Sequence, residues 1–197
     1  GKLLLGGLTN SHNFDEFPSP TTSHSIDQFP LAEMAGAFFQ NSTVSAYQMN
    51  NFITAFNENK ELVWSTLLGQ GLGISGLDFD SKNNLYVLAI GINPGHFASS
   101  SNVGNSNGLV PTYDNGIGYY ETISSNHQRG AVLKFDKDFN LTWGTKLHSL
   151  HSFGFTWHEP TNYRSGLTVD EKDRLFIFTS LDTVSNNTFT VNIGGAY

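Results

Sequence analysis

Two pairs of segments in this chain repeat one another at similar spacing, and self-similarity of that kind restricts a fold more than any short motif does. Phe56 to Thr66 (FNENKELVWST) matches Phe135 to Thr145 (FDKDFNLTWGT), 79 residues on, with Phe, Leu, Trp and Thr at the same places around a polar turn. Ser75 to Ala89 (SGLDFDSKNNLYVLA) matches Ser165 to Thr179 (SGLTVDEKDRLFIFT), 90 residues on. The opening run Leu3-Leu4-Leu5-Gly6-Gly7-Leu8 fits the second half of this unit, as Leu85 to Ile90 do, so three partial copies are present.

Each unit reads as two hairpins. In one, an apolar run ends in Asp80-Ser81-Lys82-Asn83-Asn84, or Asp170-Glu171-Lys172-Asp173-Arg174, and a second apolar run follows. In the other, Phe52 to Phe56 turns through Asn57-Glu58-Asn59-Lys60 into Leu62-Val63-Trp64. Asp and Asn suit such turns because their side chains bond nearby backbone amides and tolerate left-handed φ. Strands apolar on both faces, such as Leu85-Tyr86-Val87-Leu88, require cover on both faces, and four-stranded sheets stacked face to face around an axis supply it.

The expected fold is therefore all-β, built of β-propeller blades of four antiparallel strands and forming a fragment of a larger propeller. Strands A (74–79), B (84–91), C (130–136) and D (140–147) make residues 74–147 one complete blade. Residues 1–68 supply B to D of the preceding blade, and 164–197 begin the next. A pair of β-sandwich repeats is the competing architecture, since sandwiches also use short alternating strands. The recurrent Trp and Asp favour blades.

Composition agrees and narrows the function classes. Only 14% of residues are charged, while glycine, aromatic residues, Asn, Ser and Thr are abundant, a mixture suited to short strands joined by turns. The net charge is -7 and the ten basic residues are scattered, so nucleic acid is not an expected partner. There is no cysteine, which excludes disulfides and thiolate chemistry. No run approaches the roughly 18–20 apolar residues that a membrane span needs, and no membrane insertion is expected. The chain enters a strand at once without an initial Met, which suggests a fragment or a processed product.

Loop lengths carry the functional expectation. Antiparallel order puts the A–B and C–D turns on one face and the B–C and D–A connections on the other. The turns take four or five residues, whereas B–C covers Thr9 to Met49 in one unit and residues 92–129 in the next. Connections that long are uncommon unless functional or disordered. Val110 to Tyr120 (VPTYDNGIGYY) carries side chains that stack on and bond sugars or peptides. Tyr113, Tyr119 and Tyr120, with Trp157 and His158 of the D–A loop, are thus the candidate residues for a protein or glycan partner. Alternatively, the loops fold back to cap the blades and fill the gaps between them.

His148, His151, His158 and Glu159 are of ligand type for zinc or nickel, but their spacing fits no ligand frame such as H-E-x-x-H. No metal and no cofactor are expected; loop histidines beside Phe155 and Trp157 pack and hydrogen-bond. No G-x-S-x-G elbow, phosphate loop or dinucleotide fingerprint occurs. Gly69-Gln70-Gly71-Leu72-Gly73 instead suits a tight crossover between blades. Asp78 and Asp80 share a side-chain direction along a strand, yet acid–base work needs a pocket.

The run Phe29-Pro30, then Gly36-Ala37-Phe38-Phe39-Gln40, then Asn51-Phe52-Ile53-Thr54-Ala55-Phe56-Asn57, Leu62-Val63-Trp64-Ser65-Thr66-Leu67-Leu68-Gly69, Gly76-Leu77-Asp78-Phe79-Asp80 and Asn84-Leu85-Tyr86-Val87 resembles the SBBP (seven-bladed β-propeller) repeat. The second copy departs from it where Lys146-Leu147-His148 replaces the Gly-Gly after the Trp strand. The resemblance implies a large secreted or surface-attached protein of the kind found in Bacteroidota, exported by type IX secretion, and it offers no catalytic residues to carry over.

The expected function is a non-enzymatic propeller module, extracellular or on the cell surface, with a scaffold, adhesion or partner-binding role. The alternatives are a propeller-based glycan hydrolase or lyase acting near Tyr113, His151, His158 and Glu159, or a purely structural subunit of a surface assembly.

Overall fold

Every residue of Leu85-Tyr86-Val87-Leu88-Ala89 is buried, and period-two geometry sends alternate side chains to opposite faces of a strand. A strand of this kind needs two apolar partners, and the computed structural model supplies both. It describes residues 2–9, 29–41, 50–70, 73–90, 110–116, 118, 128–148 and 165–179.

Nine strands and no helix occur among the described residues: β1 (Leu3–Thr9), β2 (Asn50–Phe56), β3 (Leu62–Gln70), β4 (Gly73–Phe79), β5 (Leu85–Ile90), β6 (Gln128–Phe135), β7 (Leu141–His148), β8 (Ser165–Val169) and β9 (Leu175–Thr179). They form three sheets in the orders β1-β2-β3, β4-β5-β6-β7 and β8-β9. All neighbouring strands are antiparallel. The sequence placed the four central strands within about two residues of these bounds.

Register sorts the side chains of the middle sheet. Leu85, Val87 and Ala89 stand opposite Phe135, Leu133 and Ala131, and all six join Ile53, Ala55, Trp64 and Leu68 of the first sheet in one buried cluster. The residues between them, Tyr86, Leu88 and Val132, with Trp143, join Leu167, Leu175 and Ile177 of the third sheet in a second cluster. Each fully buried aliphatic or aromatic side chain contributes about 1.5–3 kcal/mol, so the sheets are held chiefly by their faces.

The repeated Phe…Leu…Trp segments fold alike. Ala55 pairs Trp64 while Phe56 pairs Leu62, and Lys134 pairs Trp143 while Phe135 pairs Leu141. One extra residue, Val63 or Thr142, therefore bulges out in each hairpin. The bulge sends Leu141 to the first cluster and Trp143 to the second, although they are only two residues apart.

Four hairpin turns share one construction. Asn57, Asp80, Asp136 and Asp170 each accept backbone amides two and four residues on through Oδ1. The fourth residue of each turn is left-handed: Lys60, Asn83, Phe139 and Asp173 have φ of 65, 62, 63 and 58°. This is a type I turn closed by a left-handed residue, which matches the twist of the flanking strands. Phe139 is an uncommon choice at positive φ, and its burial against Trp64 accounts for it: the rings stack at 4.4 Å and 7°.

The gap between the first two sheets widens from β1 toward β3, and the second and third sheets approach closely at β4 and β8. A Cβ on Gly76 of β4 would lie 2.7 Å from both the backbone nitrogen and Cβ of Leu167 in β8, and one on Gly6 of β1 would lie 3.0 Å from Ile74 Cγ2 and Leu77 Cδ1 of β4. Toward β3 the space between the first two sheets is filled by Trp64, Phe135 and Phe139, with Trp64 edge-on to Phe135 at 5.9 Å.

Candidate functional site

The long connections start and end on neighbouring strands, β1 to β2 and β5 to β6, yet each reaches past them to the far edge of its sheet. Ala32 and Ser65 exchange backbone hydrogen bonds of 3.1 and 2.9 Å, and Tyr113 and Gly144 exchange two of 2.8 Å. Ser65 and Gly144 are the residues immediately after the repeated Trp, so the two bridges are equivalent. Each satisfies part of the open edge of the last strand, β3 or β7, a site that otherwise invites pairing with another chain.

The sequence contains a signal for this that strand periodicity does not pick up. Phe29-Pro30-Leu31-Ala32 and Val110-Pro111-Thr112-Tyr113 lie 81 residues apart with proline at the same place. Proline has no amide to donate, which limits the pairing to a short bridge. Past the bridge the first segment stays against the sheet. Phe38 donates its amide to the Phe139 carbonyl at 2.9 Å, and its own carbonyl accepts from Trp64 Nε1 at 2.8 Å. Gln40 donates its amide to Thr66 Oγ1 at 2.8 Å, and its Oε1 accepts from the Gly69 amide at 2.6 Å. In the second segment a Cβ on Gly118 would lie 2.7 Å from Trp143 Nε1, so only glycine lets the chain pass over that indole.

Of the candidate binding residues, Tyr113 is tied down by its backbone bridge and packs, half-buried, against the first core cluster. Asp114 and Asn115 beside it accept the amides of Gly116 and Gly118 at 2.8 and 3.1 Å. These contacts correspond to the capping alternative for this stretch. Tyr119, Tyr120, His151, Trp157, His158 and Glu159 lie outside the described residues, and His148 is the last residue of β7. Among the described residues no group of three or more His, Cys, Asp or Glu side chains is arranged to hold a metal ion.

The carboxylates of β4 and its turn do structural work. Asp78 Oδ2 accepts the Thr168 hydroxyl at 2.9 Å and the Val169 amide at 2.8 Å from the third sheet. In return Asp173 of the third sheet accepts the Ser81 amide and hydroxyl, each at 2.7 Å. Asp80 is buried in its turn, with Asn84 Nδ2 at 2.7 Å and Lys134 Nζ at 3.7 Å. The reciprocal Asp78 and Asp173 contacts form a clamp that strand pattern alone did not disclose, because its partners are 90 or more residues away.

The clamp is pH-dependent. Burial pushes the Asp78 carboxyl up, but the amides of Val169 and Phe79 and the Thr168 hydroxyl outweigh it and hold the group below its usual range. The Ser81 hydroxyl and amide hold Asp173 below its range too, aided by the nearby charges of Lys82 and Lys134. Both folded values lie below the unfolded one of about 3.9. The unfolded chain thus binds more protons in that interval, so the stabilisation is complete above it and is lost as pH falls through the folded values. Hydrogen exchange across an acid series is expected to show β8 and β9 losing protection below about pH 4, ahead of β5 and β6. Simultaneous loss in all four strands would remove the clamp from the account.

No protein-family model matches the chain, and no curated protein matches it. The likeness to the SBBP repeat rests on the residues quoted above.

Proposed function

We propose that the chain is a non-enzymatic β-propeller module of a secreted or cell-surface bacterial protein. In this reading residues 74–147 form a whole blade between two partial ones, and the module acts as a scaffold or adhesion element holding a protein or glycan on its long-loop face. The observation that carries the reading is the graded spacing of the sheets. Between the first two sheets a Cβ on Gly6 of β1 would crowd Ile74 and Leu77 of β4, whereas stacked aromatic rings fill the space between the same sheets beside β3. Sheets splayed about an axis need that grading, while the two sheets of a sandwich stay about 10 Å apart across their width.

The scaffold part draws further support from the loop bridges at Ala32 and Tyr113, which commit portions of the long connections to closing the sheets. Partner binding then falls to the remainder of the loop face. The test is an array of glycans and extracellular-matrix proteins probed with the labelled chain and with its Tyr119→Ala and Trp157→Ala variants. Binding that disappears in the variants at unchanged Tm supports the binding role. Variants that fail to fold assign those residues to capping, and cleavage of an arrayed glycan would replace the module by an enzyme.

A further inference from the structure

Asn115 and Gly116 form the one Asn-Gly pair among the described residues, and the other in the chain is Asn107-Gly108. Glycine after asparagine leaves the peptide nitrogen open to the side-chain amide, because no Cβ shields it. Asp114, Asn115 and Gly116 are all exposed. A Cβ on Gly116 would meet nothing within 4 Å, and its φ of 73° lies in the region that favours glycine. Two hydrogen bonds converge on the atoms of this pair that can react. The Gly116 amide donates to Asp114 Oδ1 at 2.8 Å, so a carboxylate sits on the proton that must leave before the nitrogen can act as a nucleophile. Asn115 Oδ1 accepts from the Gly118 amide at 3.1 Å, which polarises the side-chain carbonyl and faces the negative charge that develops there on attack. Other turn asparagines are arranged differently: Asn57, Asn84 and Asn140 hold Nδ2 against Glu61, Asp80 and Asp136 and are followed by Glu58, Leu85 and Leu141.

We propose that Asn115 is a self-modifying residue, converting without an enzyme to isoaspartate and aspartate with Asp114 as the base. Apart from water, the chain supplies every group. Asp114 takes the Gly116 amide proton, the nitrogen bonds to Asn115 Cγ, and the Gly118 amide holds the oxyanion that forms. The Cγ–Nδ2 bond then breaks, the proton passes from Asp114 to the leaving group, and ammonia departs to leave a cyclic succinimide. Water opens the ring at either carbonyl. At Cγ it yields aspartate; at the main-chain carbonyl it yields isoaspartate, whose backbone runs through Cβ and Cγ and is longer by a methylene.

The extra methylene falls between two fixed points. Tyr113 is bridged to Gly144 by two hydrogen bonds of 2.8 Å, and Gly118 crosses Trp143 so closely that a Cβ would stand 2.7 Å from Nε1. A longer backbone between them displaces one anchor, and either product adds a negative charge beside Asp114. Conversion therefore loosens the second long connection from β7 and changes the loop face with the age of the molecule. These contacts exist whatever closes the sheets, so the conversion does not depend on the propeller reading.

The test ages the chain in neutral buffer and maps it by peptide mass spectrometry, with fragment ions that separate Asn115 from Asn107. Asn115 is expected to convert about tenfold or more faster in the folded chain than in urea, where Asp114 and Gly118 no longer converge on it. Asp114→Asn keeps an oxygen to accept the Gly116 amide but removes the base, so conversion at Asn115 should slow about tenfold or more at unchanged Tm, with Asn107 unaffected. Equal rates in parent and variant, or a rate no faster folded than in urea, would overturn the proposal. The urea comparison uses the parent chain and so decides even where Asp114→Asn fails to fold. In the converted fraction, separated by its added charge, the Tyr113 and Gly144 amides should exchange about tenfold or more faster while β5 and β6 keep their protection. Unchanged protection at both amides would overturn the loosening of the connection.

Discussion

Replacing Trp64 with alanine is expected to destabilise the chain by about 3–5 kcal/mol, the range for removing a large aromatic side chain from a packed core. The ring is wholly buried, and three contacts depend on it. It stacks on Phe139 at 4.4 Å, meets Phe135 edge-on at 5.9 Å and donates Nε1 to the Phe38 carbonyl at 2.8 Å. Its loss leaves a cavity between two sheets and removes the contact that supports Phe139 in its left-handed turn. At roughly 2–4 °C per kcal/mol for a chain of this size, Tm should fall by roughly 6–20 °C. Trp64→Phe should fall by less, since it keeps a ring in the gap and loses chiefly the hydrogen bond to Phe38. A loss below about 1 kcal/mol for the alanine variant would mean that the sheets are not joined there by packing.

Gly76→Val is expected to detach the third sheet. A Cβ at this position would stand 2.7 Å from the nitrogen and Cβ of Leu167, and neither can rotate away as the end of a flexible side chain could. Either β4 or β8 must move, at a cost of about 1–3 kcal/mol or more. The movement also pulls Asp78, two residues along β4, from the Thr168 hydroxyl and Val169 amide it now bonds at 2.9 and 2.8 Å. Exchange protection should therefore collapse in β8 and β9 while β5 and β6 keep theirs. Equal protection of β8 in variant and parent would show that the two strands do not approach so closely.

The hairpins were legible because their information is local. Asp80 and Asp136 cap turns with their own side chains, and the Phe…Leu…Trp pattern carries its bulge within eleven residues. The double-sided run Leu85 to Ala89 likewise announced a sheet covered on both faces. What the sequence concealed depends on distant partners. Asp78 reads as one polar residue in a strand until Val169, 91 residues away, is brought to it.

Phe139 was concealed for a different reason. Its own preference opposes positive φ, and only the stack on Trp64 makes the conformation tenable. Of the candidate binding residues, Tyr113 was chosen for its side chain, whereas the structure engages its backbone with Gly144. The paired prolines at Pro30 and Pro111 were the available sign.

The bridges at Ala32 and Tyr113 also bear on how such a chain can diversify. By fastening each long connection to the outer strand partway along, they divide one large closure into two smaller ones. Closure entropy rises only logarithmically with length, about 0.6 kcal/mol for each doubling, so a change in the length of either connection alters the closure cost little. The length of each connection is thereby uncoupled from the position of its anchor, which Ala32 and Tyr113 fix against the residue after the repeated Trp.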